Sequence, residues 1–171
     1  MKQFFMTIMI AGIFSSLVFG RGNPLEVGQD LPDLEGKDQD GQVFSLADSI
    51  PSHKTFVLVY FYPKADTPGC TAQACSLRDD FATLEEKGVK VIGVSGDTVA
   101  KQKAFADRHG LPFTLIADTE GVWMNAFGVP HRGSFASRQA FLFAEGKLVW
   151  RDLSASTSKQ AADVLAFLAN T

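Results

Sequence analysis

Cysteine is scarce in this sequence. Only two occur in 171 residues, Cys70 and Cys75, five positions apart. Two thiols exclude a disulfide-stapled scaffold. With three scattered histidines, His53, His109 and His131, they also make a poor zinc set. Basic runs are missing as well. The formal charge is -3 and the pI about 5.6, so nucleic acid finds no electrostatic footprint here. No CxxC motif, internal repeat, linker or low-complexity segment is present. Composition is otherwise that of an ordinary globular protein, 46% hydrophobic and 20% charged, which implies one domain able to bury its own core.

One long apolar run stands at the start. Lys2 is followed by Phe4 to Phe19, broken only by Thr7, Gly12, Ser15 and Ser16. Val18 and Gly20 suit the -3 and -1 positions of a signal-peptidase site. Residues 1–20 are therefore expected to be a secretory signal, leaving a single domain over 21–171; an uncleaved anchor is the alternative, the run being just short of the ~20 residues that span a bilayer. No cysteine follows the run, which excludes a lipoprotein anchor. Either way the globular part is expected outside the cytoplasm, periplasmic or extracellular, where disulfides persist.

The stretch around which the chain is organised is Phe56 to Leu77, FVLVYFYPKADTPGCTAQACSL. Thr55 to Tyr62 lacks polar alternation and reads as a strand buried on both faces. Pro63 ends it. A helix is expected from about Cys70 to Lys87, with Leu77, Phe81 and Leu84 inward and Gly88 as its stop. Before this stretch, Val27, Leu31 and Leu34 should anchor an extended segment, Asp40-Gly41 should turn a small hairpin, and residues 46–50 should form a helical turn. After it come a strand over 89–94, a helix over 99–109 stopped by Gly110, a strand over 114–117 and a brief helix over 121–127. The chain closes with a hairpin over 139–151 and a helix over 158–169. Alternating strands and helices followed by a hairpin imply an α/β thioredoxin-like fold: a mixed central sheet flanked by helices, with an N-terminal hairpin extension.

The chemistry gathers at the loop-to-helix turn. A thiolate reacts where a thiol does not. The first turn of a helix, with unpaired N–H groups and the positive end of the dipole, favours an anion such as Cys70 would become. Thr67 offers a hydroxyl three residues earlier, Pro63 and Pro68 stiffen the loop, and Gly69 permits close backbone approach. The same residues also serve a plain helix-opening turn. Residues five apart in a regular helix lie some 8 to 9 Å apart at Cα, whereas a disulfide needs about 4.4–6.8 Å. So Cys70 and Cys75 bond only if the helix opens, or Cys75 is an ordinary buried thiol.

Pro63-x3-Thr67-x2-Cys70 is similar to the PxxxTxxC signature of peroxiredoxins. Tyr60 to Asp79 (YFYPKADTPGCTAQACSLRD) resembles the Q-type, bacterioferritin-comigratory subfamily, and the similarity runs from about Val27 to Ala169, including Val91 to Asp97 and Arg138 to Leu142. The resemblance implies a peroxidase for hydrogen peroxide and organic hydroperoxides that needs no cofactor, neither haem nor metal. Cys70 would be the peroxidatic cysteine and Cys75 the resolving cysteine, forming an intramolecular disulfide. Thr67 would hydrogen-bond the peroxide, Pro63 would shield the sulfur and Arg138 would hold the thiolate. The partner would be thioredoxin or a thioredoxin-like reductant outside the cytoplasm, and a monomer would suffice. The loop over 129–137 looks shorter than in many relatives, with Pro130 where tryptophan often stands, so Arg132 rivals Arg138 for its role.

Two other readings compete. A copper metallochaperone on the same fold would use both thiols and a histidine, but related copper proteins space their cysteines as CxxxC. A disulfide reductase or thiol-dependent holdase would act on protein thiols and ignore peroxide.

Overall fold

The computed structural model describes residues 23–48 and 56–170. The expected signal segment, His53 and the end of the 46–50 turn lie outside them. Two short strands, β1 (Glu35–Lys37) and β2 (Val43–Ser45), pair antiparallel around the Asp40-Gly41 turn. Then follow β3 (Phe56–Phe61), α1 (Pro68–Asp79), α2 (Phe81–Glu86), β4 (Val89–Ser95), α3 (Val99–His109), β5 (Thr114–Ala117) and α4 (Val122–Ala126). The chain ends with β6 (His131–Arg132), β7 (Phe135–Ala136), β8 (Gln139–Ala144), β9 (Lys147–Asp152) and α5 (Gln160–Leu168).

The central sheet has the order β5-β4-β3-β8-β9. β3, β4 and β5 run parallel; β8 and β9 join antiparallel. The central β3 is buried on both faces, as its unbroken apolar sequence requires, and its residues alternate between two cores. Leu58 and Tyr60 meet side chains from α1, α2, α3 and α5 on one face. Val57, Val59 and Phe61 meet Trp123 and Met124 of α4, with Phe127 and partly buried Leu25, Leu31 and Leu34, on the other. This mixed sheet between helices is the thioredoxin-like fold. Among the described residues, no helix is long and apolar enough to cross a membrane.

Local chemistry sets the ends of the elements. Gly110 closes α3 in the left-handed conformation (φ 60°), with its N–H on the Ala106 carbonyl. The helix expected over 70–87 begins earlier, at Pro68, and breaks at Asp80 (φ -99°, ψ 11°), bringing Phe81 to 6.0 Å from Phe113 between ring centroids. Val27, expected as an anchor, is 63% exposed because it sits in the turn before Gly28; Leu25 takes its place. The loop over 129–137 contains a hairpin, β6 with β7. Its sequence signal was the Gly133-Ser134 pair between two dipeptides that can pair.

Tyr60 crosses the sheet between two small neighbours, Gly93 and Ala140. A Cβ on Gly93 would lie 2.8 Å from the Tyr60 ring and 2.7 Å from Leu115. Gly93→Ala is therefore expected to lower stability by about 1–3 kcal/mol through overpacking, measured by urea unfolding.

Candidate active site

β3 delivers the chain at the buried Tyr62, and residues 63–67 form the turn into α1. This turn is tied down from below. The Ala65 N–H donates to Asp97 Oδ2 (2.7 Å), and Ser95 Oγ donates to the same oxygen (2.9 Å). Gln102 Nε2 donates to Ser95 Oγ (3.0 Å) and to the Ile116 carbonyl (2.9 Å), while the Tyr62 hydroxyl donates to Gln102 Oε1. Asp97 and Gln102 are buried, so each bond is made away from competing water. Burial pushes the Tyr62 phenol well up, and it remains a neutral donor.

At the turn's apex Asp66 adopts φ 58°, unusual without glycine. Its carboxylate meets two groups at the end of α3, Arg108 Nη1 at 3.0 Å and His109 Nε2 at 3.3 Å. Thr67 caps α1 through its backbone: its carbonyl accepts the Thr71 N–H at 2.9 Å. Its hydroxyl donates to the Lys64 carbonyl at 2.9 Å. Pro63 is half-buried beside Tyr62.

Cys70 stands in the first turn of α1 and is 1% exposed. Arg138 reaches it from the residue before β8, with Nη2 3.4 Å from Cys70 Sγ. The Arg138 backbone is pinned because its carbonyl accepts the Ala155 N–H at 3.1 Å. Gly69 leaves room for the guanidinium, since a Cβ there would lie 3.3 Å from Nη2. Cys75 is half-buried, farther along the same helix, and both thiols are free.

The structure thus brings Arg138 to Cys70 and leaves Arg132 exposed on the β6–β7 hairpin. His109 is engaged with Asp66, and His131 faces Asn125 Oδ1 and the Gly133 carbonyl. Among the described residues, no three or more His, Cys, Asp or Glu side chains gather as a metal set. The sequence reading missed Gln73, whose Oε1 accepts from Arg138 Nη1. The signal was its spacing: residue i+3 shares the helix face of Cys70. It also assigned no role to Asp97.

A buried thiol at a helix N-terminus, faced by a guanidinium on a thioredoxin-like sheet, defines a thiol-based redox protein. Comparison with known proteins narrows this. The AhpC/TSA family matches residues 27–151. Peroxiredoxin Bcp of Escherichia coli K12 is 44% identical over 116 residues, 68% of this chain and 72% of that protein. The chloroplastic peroxiredoxin Q of Arabidopsis thaliana is 38% identical over 135 residues, 78% of this chain and 60% of that protein. Among solved structures, the peroxidoxin BcpB of Mycobacterium tuberculosis superposes with a TM-score of 0.79 at 30% identity, covering 85% of this chain and 97% of that one. A bacterioferritin comigratory protein of Xanthomonas campestris, studied for its alkyl peroxide reduction activity, gives 0.74 at 26% identity, covering 85% and 98%. The chain belongs to the AhpC/TSA family, among peroxiredoxins of the Q/Bcp type.

The Asp97 carboxylate is the testable support of the turn. Asp97→Ala leaves the Ala65 N–H and the Ser95 hydroxyl without this acceptor. The expected loss is about 1–3 kcal/mol in urea unfolding, with faster hydrogen exchange at the Ala65 amide.

Proposed function

We propose that this protein is a thiol-dependent peroxidase that reduces hydrogen peroxide and small organic hydroperoxides. The observation that carries the reading is the Arg138 guanidinium 3.4 Å from the buried Cys70 sulfur in the first turn of α1. Helix N–H groups and a permanent cation together favour the thiolate and the negative charge that builds on a departing oxygen.

The Cys70 thiolate attacks the nearer peroxide oxygen. The S–O bond forms as the O–O bond breaks, and the departing alkoxide or hydroxide takes up a proton. The products are a sulfenic acid on Cys70 and an alcohol or water. Thr67 directs its hydroxyl proton to the Lys64 carbonyl, which leaves its oxygen lone pairs to accept the peroxide O–H. Pro63, half-buried at the start of the turn, is the residue that shields the sulfur on this reading. Cys75 is the resolving thiol: its sulfur displaces water from the sulfenic acid and closes a Cys70–Cys75 disulfide. In intact α1 the two Cα atoms lie about 8–9 Å apart by helix geometry, so the helix must open for this step. A thioredoxin-like dithiol then reduces the disulfide and is itself oxidised.

The apolar run over 4–19 supports export, with cleavage after Gly20 and a reductant outside the cytoplasm. Both cysteines lie in one chain, which supports action as a monomer.

One equivalent of hydrogen peroxide should remove two hydrogens from the wild-type mass and link Cys70 to Cys75 in one peptide. Cys70→Ser should abolish peroxide consumption. Cys75→Ser should stop at the sulfenic acid after one turnover. Unchanged turnover in Cys70→Ser would falsify the reading. Arg138→Ala should slow the first step on the order of 10²-fold or more, measured by rapid-quench mass spectrometry, with the fold retained by circular dichroism.

A further inference from the structure

A chain of buried amides runs on from the active site into the last helix. Gln73 lies one turn beyond Cys70 in α1, and Gln160 opens α5; both are fully buried. Arg138 Nη1 donates to Gln73 Oε1, and Gln73 Nε2 donates to Gln160 Oε1 at 2.9 Å. The directions are forced. A guanidinium only donates, so it must face the oxygen of Gln73. The Gln73 amide nitrogen then points at Gln160, which must answer with its own oxygen. Turning either amide over would set donor against donor inside the core, where an unmade bond is costly. The position of Arg138 over Cys70 is thereby referred to a residue 22 positions later, on a different helix.

The same contact bears on the opening of α1. A second bond joins the two helices just beyond it, from the Ala161 N–H to Ser76 Oγ at 3.3 Å. The two ties grip α1 at residues 73 and 76, on either side of Cys75. Bringing Cys75 to Cys70 requires residues 70–75 to leave the helix, which pulls Gln73 away from both of its partners.

We infer that Gln160 is a positioning residue that holds Arg138 on Cys70 through Gln73, and that the start of α5 sets the cost of opening α1. This rests on the peroxidase reading above. It has a kinetic signature that simple destabilisation lacks, because the two steps move in opposite directions. Without the Gln160 oxygen, Arg138 is less well aimed and sulfenic acid forms more slowly. The closed helix is also less favoured, so the disulfide closes faster. The sulfenic acid then spends less time exposed to a second peroxide, and less sulfinic acid accumulates.

The test is rapid-quench mass spectrometry of the full chain with hydrogen peroxide, resolving sulfenic acid from disulfide. Gln160→Met keeps the volume and removes the acceptor. It should slow sulfenic acid formation and speed disulfide closure, each by about two- to tenfold, the range of one hydrogen bond. Ser76→Ala cuts the second tie without touching the amide chain, so it should speed closure while leaving sulfenic acid formation unchanged. Val57→Ala, which loosens the core on the opposite face of the sheet from α1 and α5, should leave the ratio of the two rates at the wild-type value. If wild-type Cys70 does not react with peroxide, the peroxidase reading itself fails. If wild type reacts and closes but either step in Gln160→Met runs at the wild-type rate, the inference is overturned.

Discussion

The arrangement depends on one contact: the Arg138 guanidinium 3.4 Å from the nearly buried sulfur of Cys70. Two things frame that sulfur, the N-terminal turn of α1 and the guanidinium itself. Neither is local to Cys70 in an energetic sense. The helix start is held by the loop bonds to Asp97 and by Thr67, and the guanidinium is held by the backbone pairing of Arg138 with Ala155 and by Gln73.

The scaffold explains its own composition. β3 must lie in the middle of the sheet to bring residues 63–70 to its end, so it is apolar throughout. Its Tyr60 needs small partners on both neighbouring strands, and Gly93 and Ala140 are there. Polar groups that the turn requires are sunk below it as a closed set: Tyr62, Gln102, Ser95, Asp97 and the Ala65 amide. Each satisfies another, which is the condition for keeping so many polar atoms inside. Asp66, in its left-handed conformation, is balanced by Arg108 and His109 at the end of α3.

A tension remains in α1. An intact helix places Cys70 against Arg138, while a Cys70–Cys75 disulfide demands that the same helix open. On the proposed mechanism, a helix that opened freely would lose the contact of Cys70 with Arg138, and one that never opened would leave the oxidised sulfur exposed to further peroxide. On that reading the stability of α1 is a functional quantity. The break at Asp80 confines the opening segment to a helix of 12 residues, and the contacts with α5 fall within it.

Much of this was legible in the sequence. Hydrophobic runs located β3, β4 and β8, because burial on two faces leaves an unmistakable pattern, and the turn over 144–146 located β9. The PxxxTxxC spacing marked the turn that carries Cys70 into α1, and helix geometry alone showed that Cys70 and Cys75 cannot meet in an intact helix. Local signals were equally plain at Gly88 and Gly110, both at positive φ. Other features were not readable, since they depend on which distant residues come together. The sequence alone left Arg132 and Arg138 as rivals; the pairing of β8 with β3 brings Arg138 to the sulfur and leaves Arg132 on an exposed hairpin. Val27 looked like an anchor by type, but the turn at Gly28 points it outward. Gln73 and Gln160 are 87 positions apart and look like surface residues by type; only the packing of α5 on α1 buries them together. The chain's own order determined the candidate thiol and the elements that carry it, because those follow from local spacing and periodicity. Tertiary structure decided what surrounds the group, because hydrogen-bond partners are chosen by distance in space.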